Sequence, residues 1–251
     1  MVKSLRNNII ILILLCLSFQ SQLLSETKSA VETSIEQALL RIYPNSNPKV
    51  KVLSKSKVFS GSKITLDKLS IRLNKMSFGN IQADFFTVIY ENVKIDLNLL
   101  ESKKTLKIIS NKKMDVRIGV SPSKMNESMQ IKMRSLGKKK IKADFKYSPP
   151  YVECTYNVPE SQLGEDTKAM LVKYIAGKSL EGYLAFKLSA KKNQIYADPS
   201  KVILNHFLLP SPLVTNFKDV YNPFEELGVI KPFKYSINKC EVQDKYIVFM
   251  N

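Results

Sequence analysis

The sequence predicts an α+β fold, an antiparallel sheet whose apolar face is covered by a small number of helices. Three observations predict it. Apolar and polar residues alternate over much of the chain: Leu69, Ile71 and Leu73 with Lys68, Ser70 and Arg72, and Val93, Ile95, Leu97 and Leu99 with Lys94, Asp96 and Asn98. Met114, Val116, Ile118 and Val120 follow the same rule, as do Ile141, Ala143, Phe145 and Tyr147 against Lys140, Lys142, Asp144 and Lys146. Successive strand side chains point to opposite faces, so each run has one apolar face and one wet, basic face. Helical spacing is confined to a few stretches, and glycine or lysine turns separate the runs. Such a sheet needs a cover: helices, a second sheet or an apolar ligand.

The elements follow in order. Lys3 and Arg6 precede the apolar run Ile9 to Leu17, the pattern of a secretory leader over residues 1–25 with cleavage between Ser18 and Ser25. The run is short of the roughly 20 apolar residues of a spanning helix, and an uncleaved anchor extended through Leu23 and Leu24 is the alternative. Leu14 and Leu15 before Cys16 argue against a lipidated cysteine. Residues 26–251 then form one domain. Val31, Ile35, Ala38, Leu39 and Ile42 predict a helix over 28–43, closed by Pro44. Short strands follow from Val50 to Val120, punctuated by Gly61, Gly79-Asn80 and Lys112-Lys113. Ser121 caps a second helix with Pro122 in its first turn; Met125, Met129 and Met133 stand one turn apart, a stripe that suits a variable acyl chain or plain core. Strands return from Lys139 to Val158, broken at Pro149-Pro150. A third helix is expected from Gln162 to Ala176, ended by Gly177, and a hairpin around Lys191-Lys192-Asn193 joins Gly182–Ala190 to Gln194–Leu204. A short helix after Pro212 and two strands, Phe233–Cys240 and Lys245–Met250, complete the chain.

The 39 basic residues outnumber 22 acidic ones, a net charge of +17, which favours anionic partners. Only Arg6, Arg41, Arg72, Arg117 and Arg134 are arginines, the residue that reads bases and phosphates in bidentate fashion, and this argues against nucleic acid. His206 is the only histidine, which excludes two-histidine metal sites, and no paired-thiolate motif or phosphate-cradling glycine loop occurs. A hydrolytic triad would have to recruit His206 from an apolar run, and Glu225-Glu226 reads as solvated surface. No catalytic residue, metal or cofactor is expected, and the chain reads as non-enzymatic. An oxidising compartment permits Cys154 and Cys240 to pair; two unpaired buried thiols are the alternative. Lysine clusters at 103–104, 112–113, 138–140 and 191–192 fall at strand ends or turns, where they either form a rim for anionic headgroups or merely protect edges.

Gly182-Tyr183-Leu184, Ala197-Asp198-Pro199 with Val202, Leu208-Leu209-Pro210, Asn222-Pro223, Pro232-Phe233-Lys234-Tyr235 and the closing strand Val242 to Phe249 resemble the LmeA-type phospholipid-binding family of bacterial envelope proteins. The helix at Val31 to Ile42, the strand with Val93-Lys94-Ile95-Asp96 and the helix entered through Ser121 fit the same order. The resemblance implies an exported, non-enzymatic phospholipid-binding protein of the periplasm or cell envelope, with a curved antiparallel sheet wrapped on a long N-terminal helix as in tubular lipid-binding folds. On that reading Ile35, Leu39, Val93, Ile95, Leu97, Met125, Met129, Phe145, Phe186 and Leu188 line an acyl groove, and Lys138, Lys139, Lys140, Lys191 and Lys192 form a headgroup rim. The partner is then a phospholipid or an anionic membrane surface. The alternative is a structural or adaptor module whose basic rim binds a protein or an anionic polymer.

Overall fold

The first described residue, Ser29, begins a capping box: its hydroxyl accepts from the Glu32 amide at 3.3 Å, and the Glu32 carboxylate accepts from the Ser29 amide at 2.8 Å. These coordinates are a computed structural model, which describes residues 29–53, 57–79, 81–135, 137, 140–159, 161, 179–210, 214, 227 and 230–251. The expected leader, the helix over 162–176 and all but Val214 of the helix after Pro212 lie outside those residues, as do Glu225 and Glu226.

Helix α1 (Ala30–Ile42) buries Ile35, Ala38 and Leu39 and ends at Tyr43, before Pro44. Its acidic side serves strand β1 (Lys49–Val52): the Val52 amide donates to Glu32 Oε1 at 2.6 Å and the Val50 amide to Glu36 Oε1 at 2.9 Å. Four helical residues rise about 6 Å and two strand residues about 6.6 Å, so carboxylates one turn apart meet alternate amides of an edge strand. That closes an edge otherwise open to foreign pairing.

Strands β2 (Lys57–Ser60), β3 (Lys63–Phe78) and β4 (Ile81–Asp96) follow, with turns at Gly61 and Gly79 as the sequence predicts. β3 and β4 pair from Lys63 opposite Asp96 to Phe78 opposite Ile81, while β1 and β2 lie in succession along the other edge of β3. The buried side of β3 runs Ile64, Leu66, then Leu69, Ile71, Leu73, then Met76 and Phe78; β4 changes phase at the same levels. Two successive residues leave the apolar face at each change, beside left-handed Lys75 (φ 55°) or Asn92 (φ 48°). Both strands of the pair break phase at one level, so the apolar face stays continuous across the hairpin.

Strand β4 stops at Asp96, which corrects the expectation of alternation through Leu99. The Asp96 carboxylate accepts from the Leu99 amide at 3.1 Å, and α2 (Leu97–Lys103) buries Leu100 before left-handed Lys104 ends it. An alternating strand would have turned Leu100 to solvent. The chain continues through β5 (Ile108–Ser110), β6 (Lys113–Val120), α3 (Pro122–Ser135), β7 (Lys142–Ser148), β8 (Tyr151–Pro159) and β9 (Ser179–Lys191). It closes with β10 (Gln194–Leu204), β11 (Phe207–Leu208), β12 (Lys239–Val242) and β13 (Ile247–Met250). Ser121 caps α3 as expected, its hydroxyl accepting from the Lys124 amide at 3.4 Å.

The fold is α+β with antiparallel strands, divided between two sheets. The larger has the order β1-β3-β4-β6-β13-β12, with β2 on β3 and β5 on β4; the smaller is the succession β11-β10-β9-β8-β7. Helix α3 ties them together. The Ser128 hydroxyl accepts from the Gln82 amide of β4 at 2.8 Å, and Asn126 accepts from the Phe145 amide of β7 at 2.8 Å while donating to Asp144 at the same distance. Tyr147 of β7 donates to the Val120 carbonyl at 3.1 Å. The strand expected from Phe233 pairs only from Lys239 onward. Residues 233–237 instead carry Phe233, Tyr235 and Ile237 into the core, with the Phe233 and Tyr235 rings 5.0 and 5.6 Å from that of Phe86. Asn193 holds this segment, donating to the Ile237 carbonyl at 2.9 Å and accepting the Ile237 amide at 2.6 Å.

One position on the outer face tests the packing. A Cβ on Gly119 would sit 2.2 Å from the Phe85 ring, which is held between Arg72 at 4.6 Å and Tyr246 at 5.3 Å. Gly119→Ala should therefore lower unfolding free energy by about 1–3 kcal/mol in urea titration, and an unchanged midpoint would show that Phe85 is free to move.

Candidate functional site

Nine of the ten expected groove residues (Ile35, Leu39, Val93, Ile95, Met125, Met129, Phe145, Phe186 and Leu188) expose between 0% and 9% of their surface, and Leu97 is half-buried. All ten pack in one continuous apolar cluster fed by both sheets and the helices. Room for an acyl chain would leave part of these surfaces uncovered. The structure buries them in the same apolar cluster as Phe233, Tyr235 and Ile237.

Of the five rim lysines, the described ones do not come together: Lys140 lies at one end of the smaller sheet and Lys191 and Lys192 at the other. Lys138 and Lys139 lie outside the described residues, and Lys140 stands two residues before β7. Lys142 pairs with Asn157, and Asn157 with Glu181, whereas Lys191 and Lys192 sit at the far end of β9. Ten strand residues separate the two ends, roughly 33 Å. Lys192 (φ 51°) and Asn193 (φ 67°) form the two-residue turn expected there, the backbone twist that joins adjacent antiparallel strands.

Cys154 and Cys240 are free thiols rather than a disulfide. Cys154 lies on the inner face of β8, and burial pushes its pKa up to about 12, with the Asp144 carboxylate adding to the shift. Burial, and then Glu241, raise Cys240 to about 12. Burial also raises Tyr90, Tyr147 and Tyr235, with Asp84 and Cys240 reinforcing the shift at Tyr147.

A cavity of about 680 Å³ opens elsewhere, at the Asn157–Glu181 end of the smaller sheet. Tyr156, Tyr183 and Ile203 give it apolar walls, and Lys142, Asp144, Glu181 and His206 stand around it. One lysine faces two carboxylates there, so it is not an anion cradle; Asp144 is already bonded to Asn126, and Glu181 accepts from Asn157 at 3.3 Å. His206 is exposed at the left-handed β10–β11 turn, not set beside a buried nucleophile. Among the described residues no three of His, Cys, Asp and Glu are grouped to hold a metal ion. No helix among them is long and apolar enough to cross a membrane.

Sequence reasoning missed two kinds of residue. Asn126 and Ser128 of α3 give no signal, because a polar residue in an amphipathic helix reads as solvated. Val58 and Phe59, exposed at 58% and 62% beside Gly61, read as an ordinary short strand. No family model, curated protein or solved structure matches the chain.

The buried acids set a pH dependence. Folded pKa values raised above the unfolded ones give stability that is complete below the unfolded values, about 9 for the thiols and 10 for the tyrosines, and lost as pH rises toward the folded ones. The melting temperature should be level around neutrality and fall from about pH 9 upward. A melting temperature sustained through alkaline pH would contradict the burial of these groups.

Proposed function

We propose that the protein is an exported, non-enzymatic component of the bacterial cell envelope that binds anionic phospholipid at its surface. The observation that carries this reading is the division of the molecule into a filled apolar core and a lysine-rich exterior. Tyrosine and cysteine aside, the polar side chains buried among the described residues are Ser46 and Ser128, so each lysine whose side chain is described reaches at least partly into solvent. Each lysine near an anionic bilayer is worth about 1 kcal/mol, and a net +17 supplies many.

The resemblance to the LmeA-type family supports phospholipid as the partner. In this reading the tubular architecture corresponds to the larger sheet with α1 against its edge strand, and the lipid tails stay in the bilayer rather than passing into the core. The filled core equally favours a second reading, an adaptor whose basic surface binds an envelope protein or an anionic polymer.

Vesicle co-sedimentation of the full chain separates the two. Phosphatidylglycerol-containing vesicles should bind far more protein than pure phosphatidylcholine vesicles, and about 0.5 M salt should release it by shortening the screening length to a few ångströms. Equal binding to both vesicles, or none to either, would set the phospholipid reading aside.

A further inference from the structure

The end of the β2–β3 hairpin combines exposed apolar side chains with a concentration of lysines. Val58 and Phe59 are neighbours on β2, so their side chains leave opposite faces, yet they expose 58% and 62% of their surface. Phe59 stands opposite Ile64, which is fully buried, and Val58 opposite Thr65, so β2, at the edge of β3, is the part of the hairpin that the cover leaves open. Leu53, just before β2, is 58% exposed, and Ile109 of β5 stands at the same end at 39%.

The register brings the lysines there. Lys63 pairs with Asp96, the Asp96 amide donates to the Lys107 carbonyl at 3.2 Å, and the Leu97 amide donates to the Ser62 carbonyl at 2.8 Å. Lys94 pairs with Thr65, which pairs with Val58. Lys103 and Lys104 end α2, where the Lys103 carbonyl accepts from the Arg41 guanidinium at 2.9 Å. Residues 57–66 and 93–110 hold six lysines against two acids, Asp96 and Glu101, and Asp96 is engaged as the α2 cap. Exposed apolar side chains within a cationic ring match the layers of a bilayer made with acidic lipids: phosphates meet the lysines, and Val58 and Phe59 reach the acyl boundary beneath them.

We propose that the β2–β3 hairpin end is the element that inserts into an anionic phospholipid bilayer. This rests on the surface-binding reading above and names its contact point. The chain has no tryptophan, so Phe59→Trp places a single reporter at the tip, and Tyr196→Trp, on β10 of the smaller sheet, places one away from it. On phosphatidylglycerol-containing vesicles the Phe59→Trp emission should shift to the blue and be quenched by brominated acyl chains, while the Tyr196→Trp emission should stay unchanged. Replacing Lys63 and Lys107 together by glutamine should weaken vesicle binding on the order of tenfold. Protein that co-sediments with an unshifted Phe59→Trp emission would overturn the insertion tip and leave surface binding standing. Absence of co-sedimentation would overturn both. A blue shift as large on phosphatidylcholine vesicles would remove the role given to the lysines.

Discussion

A strand with one apolar face is stable in water only when that face is covered, and this chain covers it with its own residues. The larger sheet is closed at one edge by the carboxylates of Glu32 and Glu36, its inner face is met by α1, α2 and α3, and residues 233–237 carry Phe233, Tyr235 and Ile237 onto Phe86. Each fully buried side chain of this kind contributes about 1.5–3 kcal/mol, so opening the core for a guest would forfeit several such terms at once. A lipid tail entering there would have to replace the lost contacts as well as leave the bilayer.

That constraint moves the functional argument outward. With the core occupied, the surfaces that distinguish this protein are its cationic exterior and the few apolar side chains that the fold leaves uncovered. Val58 and Phe59 lie on β2, an edge strand left open beside buried Ile64 and Leu66, and Lys63 and Lys94 come to that end through the pairing of β3 with β4. The cavity of the smaller sheet is a different environment, with one lysine against two carboxylates and a border of side chains already hydrogen-bonded.

Much of the fold was legible in the sequence. Helix α1 announced itself through its apolar spacing and Pro44, α3 through its Ser121 cap, and the β9–β10 hairpin through Lys192-Asn193, because these signals are local. What escaped was set by one local cap that outweighed the alternation and by distant contacts. The alternation past Asp96 yielded to a cap and to burial of Leu100; the apolar run after Phe233 became core filling because Asn193, far away in sequence, accepts its backbone. The candidate site was legible only halfway. Ile95 or Phe186 reads as inward-facing whether its neighbour is a lipid tail or Phe233, since periodicity reports which face is apolar and is silent on what covers it. Lys140 and the Lys191-Lys192 turn fall at opposite ends of the smaller sheet for the same reason: turn position is local, while the end of the sheet on which a turn falls follows from topology.

Protein side chains fill the apolar cluster that both sheets and the helices feed. Native mass measurement of the full chain, released from membranes at high salt without detergent, tests it most directly. The account predicts the mass of the bare polypeptide; a stable population heavier by one or more phospholipids would contradict it.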